Sequence, residues 1–70
     1  MKTKAYIFQH NKTVAHFAAE QLQINDSLRA KAGELVSQAI VDGRAEKGYY
    51  RLEIVSMDSL IVSDSEDLIA

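Results

Sequence analysis

Apolar residues between positions 28 and 40 recur at the spacing of an α-helix, and this stripe constrains the fold more than any other feature of the chain. Because its members follow i, i+3, i+4 steps, they fall on one face of a helix. Gly43 follows at the point where the left-handed end of a helix accepts glycine. The pattern predicts a helix over residues 27–42 with one buried face. The stripe consists of Leu28, Ala32, Leu35, Val36, Ala39 and Ile40.

The segments on either side of this helix are shorter. Residues 13–23 carry apolar side chains at helical spacing behind Thr13, a residue type that caps helices, so we expect a helix there. Residues 49–57 alternate apolar and polar side chains and predict a strand, with Leu60-Ile61-Val62 pairing back through a turn at 57–59. Residues 3–11 fit either a strand or a first helix, and their aromatic and β-branched side chains favour the strand.

The order of these elements predicts an α+β fold, a small winged-helix-like domain in which two or three helices precede a β-hairpin. We expect residues 1–63 to form a single domain and residues 64–70 to form an acidic tail. A chain of 70 residues without cysteine has a small core and no disulfide. Its stability then depends on packing or on association, so we expect a homodimer.

The net charge of −2 conceals an asymmetry along the chain. All eight basic residues lie in positions 1–51 with five acidic ones, a balance of +3, whereas residues 52–70 hold five acidic residues and no Lys or Arg, a balance of −5. The distribution is typical of an uneven solvated surface. It also fits a body that faces an anion, with a tail that repels DNA or contacts a partner.

Residue types that carry catalysis or bind metals are sparse. His10 and His16 stand six apart, which does not place them on one helical face, and no third ligand accompanies them. The serines have no neighbouring base in a recognisable motif, and the sequence has no glycine-rich phosphate loop. The carboxylates at 64, 66 and 67 lack the spacing of a calcium loop. We therefore expect no enzymatic activity, no metal and no cofactor.

The longest apolar runs, such as Leu60-Ile61-Val62, are far shorter than the roughly 18 residues of a membrane span. Polar residues from Gln9 to Lys12 interrupt the apolar core that a signal peptide would need. We therefore expect a cytoplasmic protein with no membrane partner.

Four stretches of the chain resemble the small winged helix-turn-helix regulators of the PapI type, which control fimbrial operons. These regulators have a basic residue and a threonine before an alanine-containing helix that ends in a polar turn. Similar segments here are Gln9-His10-Asn11-Lys12-Thr13 and Ala18-Ala19-Glu20-Gln21-Leu22-Gln23-Ile24-Asn25-Asp26. A longer helix follows and ends in Ala39-Ile40-Val41-Asp42-Gly43-Arg44. Gly48-Tyr49-Tyr50-Arg51-Leu52 then looks like the second strand of a wing. The resemblance covers residues 7–55.

The resemblance implies a small DNA-binding transcriptional regulator that uses a helix near 27–42 and a β-wing near 44–55. The helix beginning near Ser27 would enter the major groove, where Arg29 would pair with guanine and Gln38 with adenine. Phosphate contacts would position the protein and make its affinity fall with salt. The implied phosphate contacts are Lys12, Lys31, Arg44, Lys47 and Arg51.

Two other interpretations fit parts of the sequence. A strand at 4–9 followed by two helices is the layout of a ribbon-helix-helix DNA binder, although Arg51 and its strand have no place in that plan. Alternatively, the chain is a small protein-binding adaptor or inhibitor of a phage, plasmid or antitoxin type. It would act through a sheet edge at 49–56 and through its acidic C-terminal part.

Overall fold

The computed structural model describes residues 2–70, and Met1, at which the expected domain begins, lies outside them. Four strands form one sheet in the order β2-β1-β3-β4, in which every neighbouring pair is antiparallel. One helix joins the two hairpins and packs on one face of the sheet. The elements are β1 (Thr3–Gln9), β2 (Lys12–Ala19), α1 (Asp26–Val41), β3 (Tyr49–Ser56) and β4 (Val62–Ile69).

The winged-helix prediction is wrong, although the α+β class is retained. Within residues 2–70 the structure has a single helix and a four-stranded antiparallel sheet, in place of two or three helices followed by a hairpin. The ribbon-helix-helix alternative fails for the same reason, because it also needs two consecutive helices. The helix predicted over 27–42 is confirmed as α1, and the strand predicted over 49–57 is confirmed as β3.

The segment 13–23, predicted as a helix, is mostly strand β2. Residues 3–9 form a strand, and a two-residue turn reverses the chain behind it. His10 and Asn11 have φ angles of 52° and 62°, the left-handed pair that a type I′ hairpin turn requires. β2 therefore pairs with β1. The spacing of its apolar residues fits the two-residue repeat of a strand as well as it fits the repeat of a helix.

The helix begins with a side-chain cap. The Asn25 side chain accepts a hydrogen bond from the Leu28 backbone N–H at 2.8 Å, which satisfies one of the free amides of the first turn. The buried residues of α1 are Leu28, Ala32, Val36 and Ala39, all members of the apolar stripe. At the other end Gly43 adopts a φ of +77°, the conformation predicted for it.

The core lies between α1 and alternate residues of the two central strands. Ala5 and Ile7 of β1 pair with Ile54 and Leu52 of β3, and all four side chains are completely buried. Val36 packs against them from the helix. Because side chains alternate across a strand, the intervening residues of β1 and β3 point to the opposite side of the sheet.

Residues 64–70, expected to form an acidic tail, lie mostly within β4. β3 and β4 are joined by a turn in which the Ser56 backbone N–H donates to the Ile61 carbonyl at 2.9 Å and the Leu60 N–H donates to the Ser56 carbonyl at 2.7 Å. Residues 60–62 were predicted to pair with the preceding strand. Of these three residues, only Val62 does so, opposite Val55.

Candidate functional site

The eight residues predicted to contact DNA do not share one surface. Arg29 lies on α1 and reaches towards β4, whereas Arg51 lies on β3 and points to the side of the sheet away from the helix. Ser27 and Lys31 line a shallow depression between α1 and the end of β2. Lys12 and Arg44 line another depression beside the β1–β2 turn. Gln38 is exposed on α1 and Lys47 in the loop after it.

The arginines among these residues have intramolecular partners. Arg29 donates to Glu66 at 2.8 Å and to Asp26 at 2.6 Å, and its hydrogen bond to Glu66 raises the pKa of Arg29 above its ordinary value. Arg44 donates to the Val14 carbonyl at 3.0 Å. Phosphate binding by such residues would have to displace these contacts.

The carboxylates of the C-terminal part are also used within the chain. Asp64 accepts a hydrogen bond from the Ile24 backbone N–H at 2.9 Å, Glu66 binds Arg29, and Asp67 accepts from Arg51 at 3.1 Å. The acidic segment predicted to contact a basic partner therefore holds α1 and β3 against β4. β3 itself pairs with β1 on one side and with β4 on the other, so the sheet edge predicted at 49–56 does not exist.

The side of the sheet that faces away from α1, here called the open face, carries both polar and apolar side chains, and its large apolar side chains are exposed or half-exposed. Its apolar members are Tyr6, Phe8, Tyr49, Val55, Val62 and Ile69. Its charged members are Lys4, Arg51, Glu53 and Asp67. The face is completed by Thr13, His16, Ala18 and Ser65. An antiparallel sheet with one solvated face normally shows polar side chains there.

Two aromatic residues of the open face lie on the central strand β1, and a third lies at the start of β3. The rings of Tyr6 and Phe8 are stacked at 6.0 Å between centroids, and the imidazole of His16 lies 5.7 Å from the Tyr6 ring on the neighbouring strand. Tyr49, whose side chain is 71% exposed, lies across from Ile69, which is 69% exposed. An open depression of about 640 Å³ lies between Phe8, Tyr49 and Arg51.

An apolar turn continues the open face at one end. Leu60 and Ile61 in the β3–β4 turn are 72% and 63% exposed, and Met57 lies beside them. We call these three residues the apolar tip. The tip adjoins the Val55–Val62 pair, and Glu53 and Ser65 occupy the next open-face positions along β3 and β4.

The basic and acidic side chains of the open face are equal in number. Arg51 lies between Asp67, at 3.1 Å, and Glu53, at 3.9 Å. With Lys4 included, the face holds two basic and two acidic side chains and has no net charge. A surface that tracks a phosphate backbone needs an excess of positive charge, which this face lacks.

Both edges of the sheet are interrupted by a bulge. The register between β1 and β2 shifts so that Val14 has no partner on β1, and the register between β3 and β4 shifts so that Ser63 has none on β3. The Arg44 side chain donates a hydrogen bond to the Val14 carbonyl, so that edge carbonyl already has a partner. Bulges and charged residues at an edge oppose the addition of another strand, so neither edge of this sheet is well suited to strand addition.

Chemistry-bearing side chains are dispersed over the molecule. Within residues 2–70 no group of three or more His, Asp or Glu side chains is arranged to hold a metal ion. His10 contacts the Glu46 carboxylate at 3.3 Å, and both side chains are largely exposed. In the same part of the chain no helix has the length and apolar character needed to cross a membrane.

Sequence reasoning missed the open face, although a signal for it was present. In a strand over residues 3–9, Ala5 and Ile7 fall on one side and Tyr6 and Phe8 on the other. Large apolar side chains on both sides of a strand indicate that each side is covered or binds something. Assigning residues 13–23 to a helix removed the neighbouring strand and with it the surface.

Comparison of the chain with protein-family models, with curated proteins and with solved structures gives no match.

Proposed function

We propose that this protein is a non-catalytic protein-interaction module that binds its partner through the open face and the adjoining apolar tip. The observation that carries the proposal is the set of exposed aromatic and aliphatic side chains on a sheet face that α1 does not cover. Exposed apolar patches on small proteins mark interaction sites, and aromatic residues are enriched in the centres of such sites.

The charge distribution favours a protein partner over a nucleic acid. The Arg51 guanidinium is engaged by Asp67 at 3.1 Å, and the face as a whole is neutral. Stacked aromatics such as Tyr6 and Phe8 could receive single-stranded bases, but binding of single strands combines stacking with a positively charged groove. A neutral aromatic centre with a few charges around it is typical of protein interfaces.

Site-specific photo-crosslinking tests the proposal. A photoreactive phenylalanine analogue replaces Tyr49 on the open face or, as the control, Val41 at the end of α1 on the opposite layer, where exposure is similar at 80%. We expect illumination to give discrete adducts from position 49, identified by mass spectrometry as one protein species, and none of that species from position 41.

Two results would contradict the proposal. Equal adducts from both positions, or none from position 49, would show that the open face is not a docking surface. Saturable, salt-sensitive binding of labelled single-stranded or duplex DNA that is lost in Arg51→Glu would assign the face to nucleic acid instead. Fluorescence anisotropy at low and moderate salt measures that binding.

A further inference from the structure

We infer that the partner of the open face is a second copy of this chain, bound face to face so that two sheets lie between two outer helices. The inference rests on the proposed function, because it names the occupant of the same surface. Three observations lead to it: the charge balance of the face, the size of the core and the area available.

The charges of the open face suit contact with an identical face. Lys4 and Arg51 are matched in number by Glu53 and Asp67, so two copies meet without an excess of either sign. A two-fold symmetric interface brings one patch against itself, which penalises any patch with a net charge. The open face avoids that penalty.

The core of a single copy is small. Four large side chains, Ile7, Leu52, Ile54 and Val36, are fully buried, and β1 and β3 contribute three of them. Those two strands also carry Tyr6, Phe8 and Val55 on the open face. Packing a second sheet about 10 Å away would bury these side chains too, and give the central strands a core on both sides.

The face has about the area that a weak dimer needs. Four strands about 4.8 Å apart, each about eight residues long at roughly 3.3 Å per residue, give a footprint of about 500 Å² per copy. Two copies bury about 1,000 Å² in total, above most non-specific contacts and below a standard interface of about 1,600 Å². We therefore expect a dimer whose population depends on concentration.

Sedimentation velocity of the purified 70-residue chain, from low to high micromolar concentration, tests the inference with two charge variants. Lys4→Glu gives the open face a net charge of −2 and Asp67→Lys gives it +2, both counted from the two basic and two acidic residues of the face. We expect each variant alone to dimerise at least about tenfold more weakly than the unmodified chain, because like charges oppose each other. An equimolar mixture of the two variants should recover the dimer.

Matched charge changes on the helix layer provide the control. Lys31 and Glu34 are exposed on α1, so Lys31→Glu and Glu34→Lys should dimerise like the unmodified chain. Circular dichroism of all four variants identifies any that fail to fold. If Lys4→Glu does not fold, Asp67→Lys alone still has to weaken the dimer.

The possible results separate this inference from the proposed function. A chain that stays monomeric at all concentrations, while position 49 crosslinks to another identified protein, overturns the inference and leaves the proposed function in place. The inference is also overturned if the chain forms a dimer and neither Lys4→Glu nor Asp67→Lys weakens it. A monomer without adducts at position 49 overturns both.

Discussion

Gln9 and Glu46 exchange two hydrogen bonds across the end of the sheet. The Gln9 side-chain amide donates to the Glu46 backbone carbonyl at 2.6 Å, and the Glu46 backbone N–H donates to Gln9 Oε1 at 2.8 Å. The same amide nitrogen lies 3.2 Å from the Tyr49 carbonyl. Because Gln9 is 7% exposed, this contact fastens the loop between α1 and β3 to β1 from inside the molecule.

Replacing Gln9 with leucine should therefore destabilise the protein. The substitution leaves the Glu46 N–H and carbonyl without their partner, and we expect the free energy of unfolding to fall by about 2–3 kcal/mol. Urea denaturation measures the change. Gln38→Ala, which removes an exposed hydrogen bond to Asp42, should cost less than about 0.5 kcal/mol. Equal losses in the two variants would mean that the buried amide does not fasten the loop.

Tyr50 should make the protein sensitive to alkaline pH. Burial, with a smaller contribution from the Glu66 carboxylate, raises the pKa of Tyr50 above its ordinary value of 10.0. Above pH 10 the unfolded chain releases the tyrosine proton before the folded chain does, so stability falls as pH rises towards the folded pKa. The contribution of Tyr50 is fully present below pH 10.

Denaturation at a series of pH values around and above 10 measures this effect. We expect Tyr50→Phe to flatten the decline relative to the unmodified chain. Tyr49→Phe, at the neighbouring exposed position, provides the matched comparison. The explanation fails if the two phenylalanine variants show the same pH profile as the unmodified chain.

The Asn25 cap should contribute measurably to the stability of α1. Asn25→Ala removes the oxygen that accepts from the Leu28 N–H, and we expect a loss of about 1 kcal/mol. Asn25→Ser keeps a capping oxygen and should retain most of the stability. Thermal denaturation followed by circular dichroism distinguishes the two. A serine variant as unstable as the alanine variant would show that the cap is not the cause.

Leu60 adopts an unfavourable backbone conformation at an exposed position. Its φ is +57°, and a left-handed conformation costs an L-residue such as leucine about 1–2 kcal/mol. Asparagine tolerates this region, so Leu60→Asn should raise the free energy of unfolding by about 0.5–1 kcal/mol. Ile61→Asn is the control, because Ile61 is similarly exposed and is not among the residues with positive φ.

The Leu60 and Ile61 variants should be compared at low protein concentration, where a face-to-face dimer contributes little. If Ile61→Asn stabilises the protein as much as Leu60→Asn, the gain comes from removing an exposed apolar side chain. A gain confined to Leu60→Asn assigns it to the backbone.

The candidate surface was less predictable than the helix. Alternation along residues 3–9 already separates Tyr6 and Phe8 from Ala5 and Ile7. Nothing local indicates that Val55, Val62 and Ile69 lie on the same side as these aromatics, because that depends on the register of β3 with β1 and of β4 with β3. The distant partners Glu66 of Arg29 and Asp67 of Arg51, 37 and 16 residues away, were equally hidden, and both arginines were interpreted as free to bind DNA.

The sequence by itself determined α1 and β3, because the apolar period of residues 28–40 and the alternation of residues 49–56 are complete within each segment. The tertiary structure decided that the residues of β2 and β4 form strands. The apolar residues of β2 fit a helix and a strand equally well, and pairing with β1 after the His10–Asn11 turn selected the strand. The acidic residues of β4 form a strand because β3 supplies its hydrogen bonds and Arg29 and Arg51 neutralise its carboxylates. A helix satisfies its backbone hydrogen bonds locally, whereas a strand satisfies them only with a partner that the rest of the chain must bring into place.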